Sequence, residues 1–149
     1  MQKINIRVAN HSDVSLLVNF NQLMAWETEQ IKLDNIILSK GVSALIADDN
    51  KGFYLVAEQN KVVVGSLMVT TEWSDWRNAV FWWVQSVYIS PDFRRQGIYA
   101  QLYGQVKILA EQQHNVCGFR LYVEKENIIA QKTYESLGMQ QSHYLMYEE

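Results

Sequence analysis

The spacing of apolar positions in the first half of the chain predicts a strand, two helices and a hairpin. Residues 4–8 alternate between apolar and polar side chains, and apolar residues then recur at helical spacing through about Glu29. Asp34 is placed to cap a second helix, whose apolar residues extend to Ile46. Two runs of strand-forming residues, 53–58 and 61–71, are separated by a short polar connection, which predicts a β-hairpin.

The second half centres on a long apolar run from Ala79 to Ile89, which follows a predicted loop over residues 72–78. Apart from Gln85 and Ser86 the run is apolar, which predicts a strand buried on both faces. Beyond it, the pattern predicts a helix over 96–114, a strand over 119–124, a helix capped by Asn127 and ended by Gly138, and a last strand over 142–147.

This order of elements, β-α-α-β-β-β-α-β-α-β, predicts an α+β fold of three layers. The crossover from strand 79–89 through helix 96–114 to strand 119–124 requires two parallel strands, whereas the hairpins require antiparallel ones. We therefore expect a mixed, mostly antiparallel sheet flanked by helices. A chain of 149 residues is the usual size of one domain, so we expect a single domain over 1–149.

The turn between strand 79–89 and helix 96–114 has the chemistry of an anion site. Pro91 has no N–H to offer to a strand ladder, so the strand stops before it. The amide groups of a helix's first turn have no partner within the helix, and Gly97 allows an anion to approach them closely. Arg94 and Arg95 add positive charge, although a turn with two solvated arginines would look the same in isolation.

Composition narrows the class of protein. Hydrophobic residues make up 48% and charged residues 19%, which is ordinary for a globular protein. The net charge of -3 gives no reason to expect nucleic acid as a partner. The single cysteine, Cys117, excludes an internal disulfide and fits a reducing compartment, so we expect a cytoplasmic protein. No apolar stretch is long enough to span a membrane, and neither a membrane partner nor a metal site is expected.

Two segments resemble the GCN5-related N-acetyltransferases, whose fold has the same order of elements. Arg94-x-x-Gly97-x-Tyr99 resembles the family's acetyl-CoA-binding pattern, Arg/Gln-x-x-Gly-x-Gly/Ala, although Tyr99 stands where a small residue is usual. The segment from Asn127 through Tyr134 to Gly138 resembles the family's C-terminal pattern, Asn-x-x-Ala-x-x-x-Tyr-x-x-x-Gly. The resemblance implies an acyl-CoA N-acyltransferase-like domain that transfers acetyl from acetyl-CoA directly to an amine.

The resemblance also implies roles for individual residues. Tyr134 would protonate the leaving thiolate, and a backbone N–H near Val87 would stabilise the oxyanion. Trp83 stands where some members carry a glutamate base, so Glu72 is the preferred candidate base, with Glu27 and Glu29 as alternatives. The residues expected to bind the cofactor are Val87, Tyr88, Ile89, Arg94, Arg95, Gln96, Gly97, Ile98, Tyr99, Ala100, Asn127 and Tyr134.

The acceptor is expected to be a small, cationic amine. The two loops expected to wall its site combine tryptophans with carboxylates, which suit a cation through cation–π contacts and charge pairing. The residues expected to contact it are Trp26, Glu27, Glu29, Trp73, Trp83 and Gln85. Trp73 and Trp76 could equally form the interface of a homodimer. Two other functions stay open: acetylation of protein N-termini or lysines, and non-catalytic sensing of acyl-CoA.

Overall fold

The computed structural model describes residues 3–149, so the first two residues of the predicted domain 1–149 lie outside the described residues. It contains five strands and four helices. The strands are β1 (Asn5–Val8), β2 (Phe53–Gln59), β3 (Val62–Ser74), β4 (Ala79–Ile89) and β5 (Val116–Arg120), and the helices are α1 (Val14–Glu29), α2 (Asn35–Ala47), α3 (Ile98–Gln113) and α4 (Ile128–Ser136).

The five strands form one sheet in the order β1-β2-β3-β4-β5. The first three pairings are antiparallel, and β4 pairs with β5 in parallel after the crossover through α3. The predicted fold class, a mixed and mostly antiparallel sheet flanked by helices, is therefore confirmed, and the predicted order of elements is found as far as α4.

Helices cover both faces of the sheet, and each face has its own apolar cluster. On one face, Leu55, Leu67 and Trp82 pack with α3, which contributes Leu102 and Val106. On the other face, α1 and α2 pack against alternate residues of β2. This second cluster contains Leu17, Val18, Val42, Leu45, Tyr54 and Val56. The period of two along β2 thus divides its side chains between the two cores.

The predicted caps explain where the first helices begin. Asn10 and Asp13 form a capping box around a short 3-10 turn, His11–Asp13, that leads into α1. The side chain of Asp34 accepts hydrogen bonds from the N–H groups of Ile36 and Ile37 at 2.9 and 3.0 Å and starts α2. At the other end of α1, Gln30 adopts the left-handed conformation and ends the helix.

Three expectations about strands are corrected. The predicted loop 72–78 is instead the tip of a long hairpin, because β3 continues to Ser74 in register with β4. The strand predicted over 119–124 lies at 116–120, because its ladder with β4 runs only from Val116 to Arg120. β4 is not buried on both faces throughout, since Trp83 and Gln85 are only half-buried beyond the cover of the helices.

The last strand predicted over residues 142–147 is absent from the described structure. Its alternation of side chains is compatible with a strand, but a strand requires a neighbouring ladder, and no partner strand is paired with this segment. Residues 140–149 are exposed throughout. We refer to residues 140–149 as the C-terminal arm. Within residues 3–149, no helix has the length and apolar character needed to cross a membrane.

Candidate active site

The turn between β4 and α3 presents free amide groups. Gly97 has φ of 77° and precedes α3 directly, and no side chain caps this helix. The first hydrogen bond of the helix joins the N–H of Gln101 to the carbonyl of Gly97 at 3.1 Å. The amides of residues 98–100 are therefore available to a ligand within the described part of the chain. Together with the helix dipole they form the arrangement that binds phosphate groups.

Tyr99, the unusual residue of this motif, leaves the turn open. Its side chain packs between Tyr103 of α3 and Tyr134 of α4. Its ring stacks on Tyr103 with centroids 6.0 Å apart and meets Tyr134 edge-on at 5.5 Å. A bulky residue at the third position of the motif is thus accommodated between the helices, and the backbone of the turn keeps its helix-initiating geometry.

The Arg94 side chain turns toward α1 and not toward the free amides. Its Nη2 lies 2.8 Å from Oε2 and 3.1 Å from Oε1 of Glu27, and its Nε donates to the carbonyl of Ile89 at 2.8 Å. The guanidinium also lies over the ring of Tyr88, 5.4 Å from its centroid. Arg94 therefore joins the end of α1 to the end of β4. Glu27, expected in the acceptor site, has its carboxylate in this ion pair.

The other polar residues of the turn are exposed. Arg95 lies on the surface in the left-handed region, with φ of 63°. The side chain of Gln96 donates to the carbonyl of Asp92 at 3.2 Å, which closes the turn on itself. Arg94 is thus paired with a carboxylate, whereas no ion pair is described for Arg95.

β4 carries a bulge just before the turn. Ser66 pairs with Tyr88 and Met68 with Gln85, so two residues of β4, Ser86 and Val87, face a single residue of β3. Ser86 adopts φ of 52°, a conformation that residues other than glycine seldom use. A bulge leaves backbone groups outside the ladder. The predicted oxyanion donor near Val87 lies at this irregularity.

The other edge of β4 is open at the same level. β5 pairs with β4 only from Val80 to Trp83, so residues 84–89 have no neighbour on that side among the described residues. An extended amide chain could pair with such an edge as an additional strand. This open segment contains Val87, Tyr88 and Ile89, which were expected to bind the cofactor, and leads directly into the turn before α3.

Asn127 and Tyr134 lie near the two ends of α4. The Oδ1 of Asn127 accepts a hydrogen bond from the N–H of Ala130 at 3.2 Å, so Asn127 is the N-cap of α4. Tyr134 is half-buried, and burial raises the pKa of its phenol above the ordinary value. Tyr134 therefore keeps its proton at neutral pH, and its edge-on contact with Tyr99 brings it toward the start of α3.

Glu72 belongs to a polar cluster on the sheet face opposite α3. Its Oε1 accepts hydrogen bonds from Nε1 of Trp83 at 2.8 Å and from Nη1 of Arg120 at 3.0 Å. Arg120 also covers the ring of Phe81, 3.6 Å from its centroid. Nearby on this face, the amide of Gln85 donates to the hydroxyl of Thr70 at 2.6 Å. The strand register brings Glu72, Trp83 and Gln85 onto one surface.

The sequence did not single out Arg120 or Thr70. Trp83 pairs with Thr70 on one side and with Arg120 on the other, so all three residues lie in one row across the sheet. Alternation along the strands was the available signal, but it becomes useful only when the register between strands is known.

The remaining residues expected to contact the acceptor are more dispersed. Trp26 near the end of α1 is 60% exposed, Trp73 near the hairpin tip is 61% exposed, and Trp76 at the tip is 92% exposed. Glu29 is also exposed. No described contact joins these side chains into one wall. No group of three or more metal-ligating side chains occurs within residues 3–149.

Comparison with known proteins gives a consistent result. The family model described as "Acetyltransferase (GNAT) family" matches residues 14–139. A possible acetyltransferase from Clostridium difficile 630 is 47% identical in sequence, with a TM-score of 0.91 over 98% of this chain and 96% of that one. No curated protein matches the sequence.

Two more distant structures share the fold. A predicted acetyltransferase from Clostridium acetobutylicum, solved with acetyl-CoA, is 19% identical, with a TM-score of 0.82 over 99% of this chain and 96% of that one. The aminoglycoside N-acetyltransferase AAC(6')-Iy, solved in complex with CoA, is 16% identical, with a TM-score of 0.80 over 100% and 95% of the two chains.

Proposed function

The chain belongs to the acetyltransferase (GNAT) family, and we propose that it transfers the acetyl group of acetyl-CoA to a primary amine of a small, cationic molecule. One observation carries the proposal: the open edge of β4 leads into the free amides at the start of α3, and Tyr99 in the first turn of that helix contacts the ring of Tyr134. A phosphate site, an edge for an amide chain and a proton donor are the groups that a thioester of CoA requires.

The residues of this chain fit acetyl-CoA. The amides of residues 98–100 would hold the pyrophosphate, and the edge of β4 over residues 84–89 would pair with the pantetheine arm. When bound, acetyl-CoA supplies an activated acetyl thioester. The backbone at the Ser86–Val87 bulge would stabilise the oxyanion, and Tyr134 would give its proton to the thiolate that leaves.

The amine must lose a proton before it can attack, since an alkyl ammonium has a pKa near ~10. Trp83 cannot act as a base, and we propose Glu72 for this role. Both described hydrogen bonds to Glu72 end on Oε1, which leaves Oε2 to face an ammonium group. Arg120 and Trp83 would hold the carboxylate in place, and the partial exposure of Glu72 would let the proton pass to solvent.

The proposed class of acceptor rests on the side chains around Glu72. A cationic amine would find a carboxylate there, with the aromatic rings of Trp83 and Tyr122, whose centroids are 6.3 Å apart, beside it. The aminoglycoside acetyltransferase has the same fold, so amino sugars belong among the acceptors to be tried. The cytoplasmic location expected from the sequence stays a prediction.

Thermal melting with acetyl-CoA, followed by a thiol-release assay, tests the proposal. Acetyl-CoA at a hundredfold excess over its Kd stabilises the fold by about 2.7 kcal/mol, so we expect the melting temperature to rise by a few degrees. Thiol should then be released with a diamine, an amino sugar or an amino-acid amine. Release only with peptides would favour a protein acetyltransferase, and binding without release would favour a sensor. Absence of any shift would contradict the enzyme hypothesis.

We also propose that two copies associate through the C-terminal arm. Tyr144, Leu145, Met146 and Tyr147 are 59–88% exposed, and β5 forms an edge of the sheet. An apolar segment with the alternation of a strand and a strand edge without a described neighbour are complementary in two copies of one chain. Size-exclusion chromatography with light scattering should give twice the chain mass. Leu145→Glu should give a monomer, and Ile37→Glu on exposed α2 should not.

A further inference from the structure

Tyr99 has a buried hydroxyl group without a hydrogen-bond partner. Within residues 3–149 it is the only buried side-chain oxygen or nitrogen that lacks a hydrogen-bond partner. Buried polar groups in native proteins nearly always have a partner, and a phenylalanine would fill the same space without the unmet hydroxyl. The unpaired hydroxyl of Tyr99 therefore points to a hydrogen-bond partner that is supplied by a ligand.

The position of Tyr99 limits what this partner can be. Its backbone belongs to the first turn of α3, beside the amides proposed for the pyrophosphate. Its ring reaches Tyr134, the group proposed to protonate the thiolate. The side chain of Tyr99 therefore extends from the proposed phosphate site to the proposed proton donor. The part of an acyl-CoA that covers this interval is the pantetheine arm.

The chemistry of the hydroxyl agrees with an uncharged acceptor. Burial raises the pKa of Tyr99 far above its ordinary value, and the neighbouring phenols of Tyr134 and Tyr103 raise it further. The group thus remains a neutral O–H donor at any physiological pH. The amide carbonyls of pantetheine are uncharged acceptors of the kind that a phenol binds.

The inference rests on the proposed function: we propose that the side chain of Tyr99 binds the cofactor, with its hydroxyl donating a hydrogen bond to an amide carbonyl of the pantetheine arm. Access to the buried hydroxyl requires α4 to move, and α4, whose Tyr134 meets the ring of Tyr99 edge-on, has no fully buried side chain. A helix held so lightly can shift to admit the arm.

Tyr99→Phe is the decisive variant, because it removes the hydroxyl and keeps the ring. We expect its free form to melt at a higher temperature than the wild type, since a buried unmet hydroxyl is lost. By calorimetric titration it should bind CoA about threefold to tenfold more weakly, the value of one neutral hydrogen bond. Its affinity for ADP 3′-phosphate, which has the pyrophosphate without the arm, should be unchanged.

Tyr103→Phe is the matched control, because it makes the same chemical change on the adjacent stacked ring. It should bind CoA as the wild type does. A near-ultraviolet difference spectrum on CoA binding should show a perturbed tyrosine in the wild type and in Tyr103→Phe, and a smaller signal in Tyr99→Phe.

Equal affinity of Tyr99→Phe and the wild type for CoA would overturn the inference and leave the proposed function standing. An equal loss for CoA and ADP 3′-phosphate would also overturn it, since the effect would then lie at the phosphate turn. Failure of the folded wild type to bind CoA at all would overturn the proposed function, and this inference with it.

Discussion

At the scale of single residues, the conformation of Gly97 shapes the turn that we propose as the phosphate site. Its φ of 77° lies in the left-handed region, and a Cβ added there would meet no atom within 4 Å. The requirement for glycine at this position is therefore conformational and not steric. The free amides that follow depend on this conformation, because it sets the direction in which α3 begins.

Gly97→Ala should lower the free energy of unfolding by about 1 kcal/mol, the cost of a left-handed alanine. It should also weaken CoA binding by at least about tenfold, because relaxation of the backbone would turn the amides away from the phosphate. Chemical denaturation and calorimetric titration measure the two effects. Unchanged CoA affinity would contradict the assignment of the turn.

Gly104 supplies a matched control within the same helix. It lies inside α3, and a Cβ there would also meet no atom within 4 Å. Gly104→Ala should raise the free energy of unfolding by about 1 kcal/mol, because glycine is a poor helix former. Its affinity for CoA should equal that of the wild type, so the two substitutions should have opposite effects on stability.

Tyr134→Phe removes the proposed proton donor and keeps the ring. We expect kcat to fall by about a hundredfold or more, with little change in the affinity for CoA. Because burial raises the pKa of Tyr134, the wild type should stay active up to the ordinary tyrosine pKa of about 10 and lose activity only above it. If the activity of Tyr134→Phe also falls at alkaline pH, the loss of activity must come from deprotonation of another group.

At the scale of elements, two arginines fix the ends of α1. Arg7 on β1 binds Asp13 at the start of the helix at 2.8 and 2.9 Å, and Arg94 binds Glu27 near its end. In the first pair the side chain of Asp13 is largely buried, whereas in the second pair both side chains are partly exposed. The first pair should therefore contribute more to stability.

Asp13→Asn should lower the free energy of unfolding by about 2 kcal/mol at neutral pH, because Asp13 accepts charged hydrogen bonds from Arg7. The hydrogen-bonded guanidinium holds the pKa of Asp13 below its usual range. A lowered pKa contributes stability above the ordinary value of about 3.9, and this is lost as the pH falls below it.

The difference in the free energy of unfolding between the wild type and Asp13→Asn should therefore shrink as the pH drops below about 4. Urea unfolding across this range measures it. Asp49→Asn in the exposed turn before β2 is the control, and it should change stability by less than about 0.5 kcal/mol. A difference that is constant with pH would exclude ionisation of Asp13 as its source.

At the scale of the whole molecule, one sheet serves two apolar clusters. Val56 belongs to the cluster under α1 and α2, and its neighbours Leu55 and Ala57 belong to the cluster under α3. Both cores thus share the same central strands, and we expect the loss of one to disrupt the other. This arrangement is the physical basis for expecting a single domain.

The chain should unfold in a single cooperative transition. Far-ultraviolet circular dichroism, which follows the backbone, and tryptophan fluorescence, to which buried Trp82 contributes, should give coincident urea curves. Two separated transitions would mean that the clusters on the two faces unfold independently, and would contradict the single domain.

Features that depend on neighbouring residues were predictable from the sequence. Asp34 and Asn127 cap their helices as expected, and β4 ends before Pro91. The order of elements followed from the period of apolar positions, and with it the crossover that makes β4 and β5 parallel. The caps and the end of β4 depend on bonds between residues only a few positions apart, and the crossover followed from the order of the elements.

Features that depend on distant residues were decided by the tertiary structure. Arg94 binds a carboxylate 67 positions away and Arg120 one 48 positions away, and no local pattern encodes either pair. The absence of the strand over 142–147 follows from the lack of a described partner, although its alternation is suitable. The sequence by itself determined the order of elements as far as α4 and the position of the turn between β4 and α3. The tertiary structure decided which side chains stand around that turn, because strand register and helix packing depend on the whole chain.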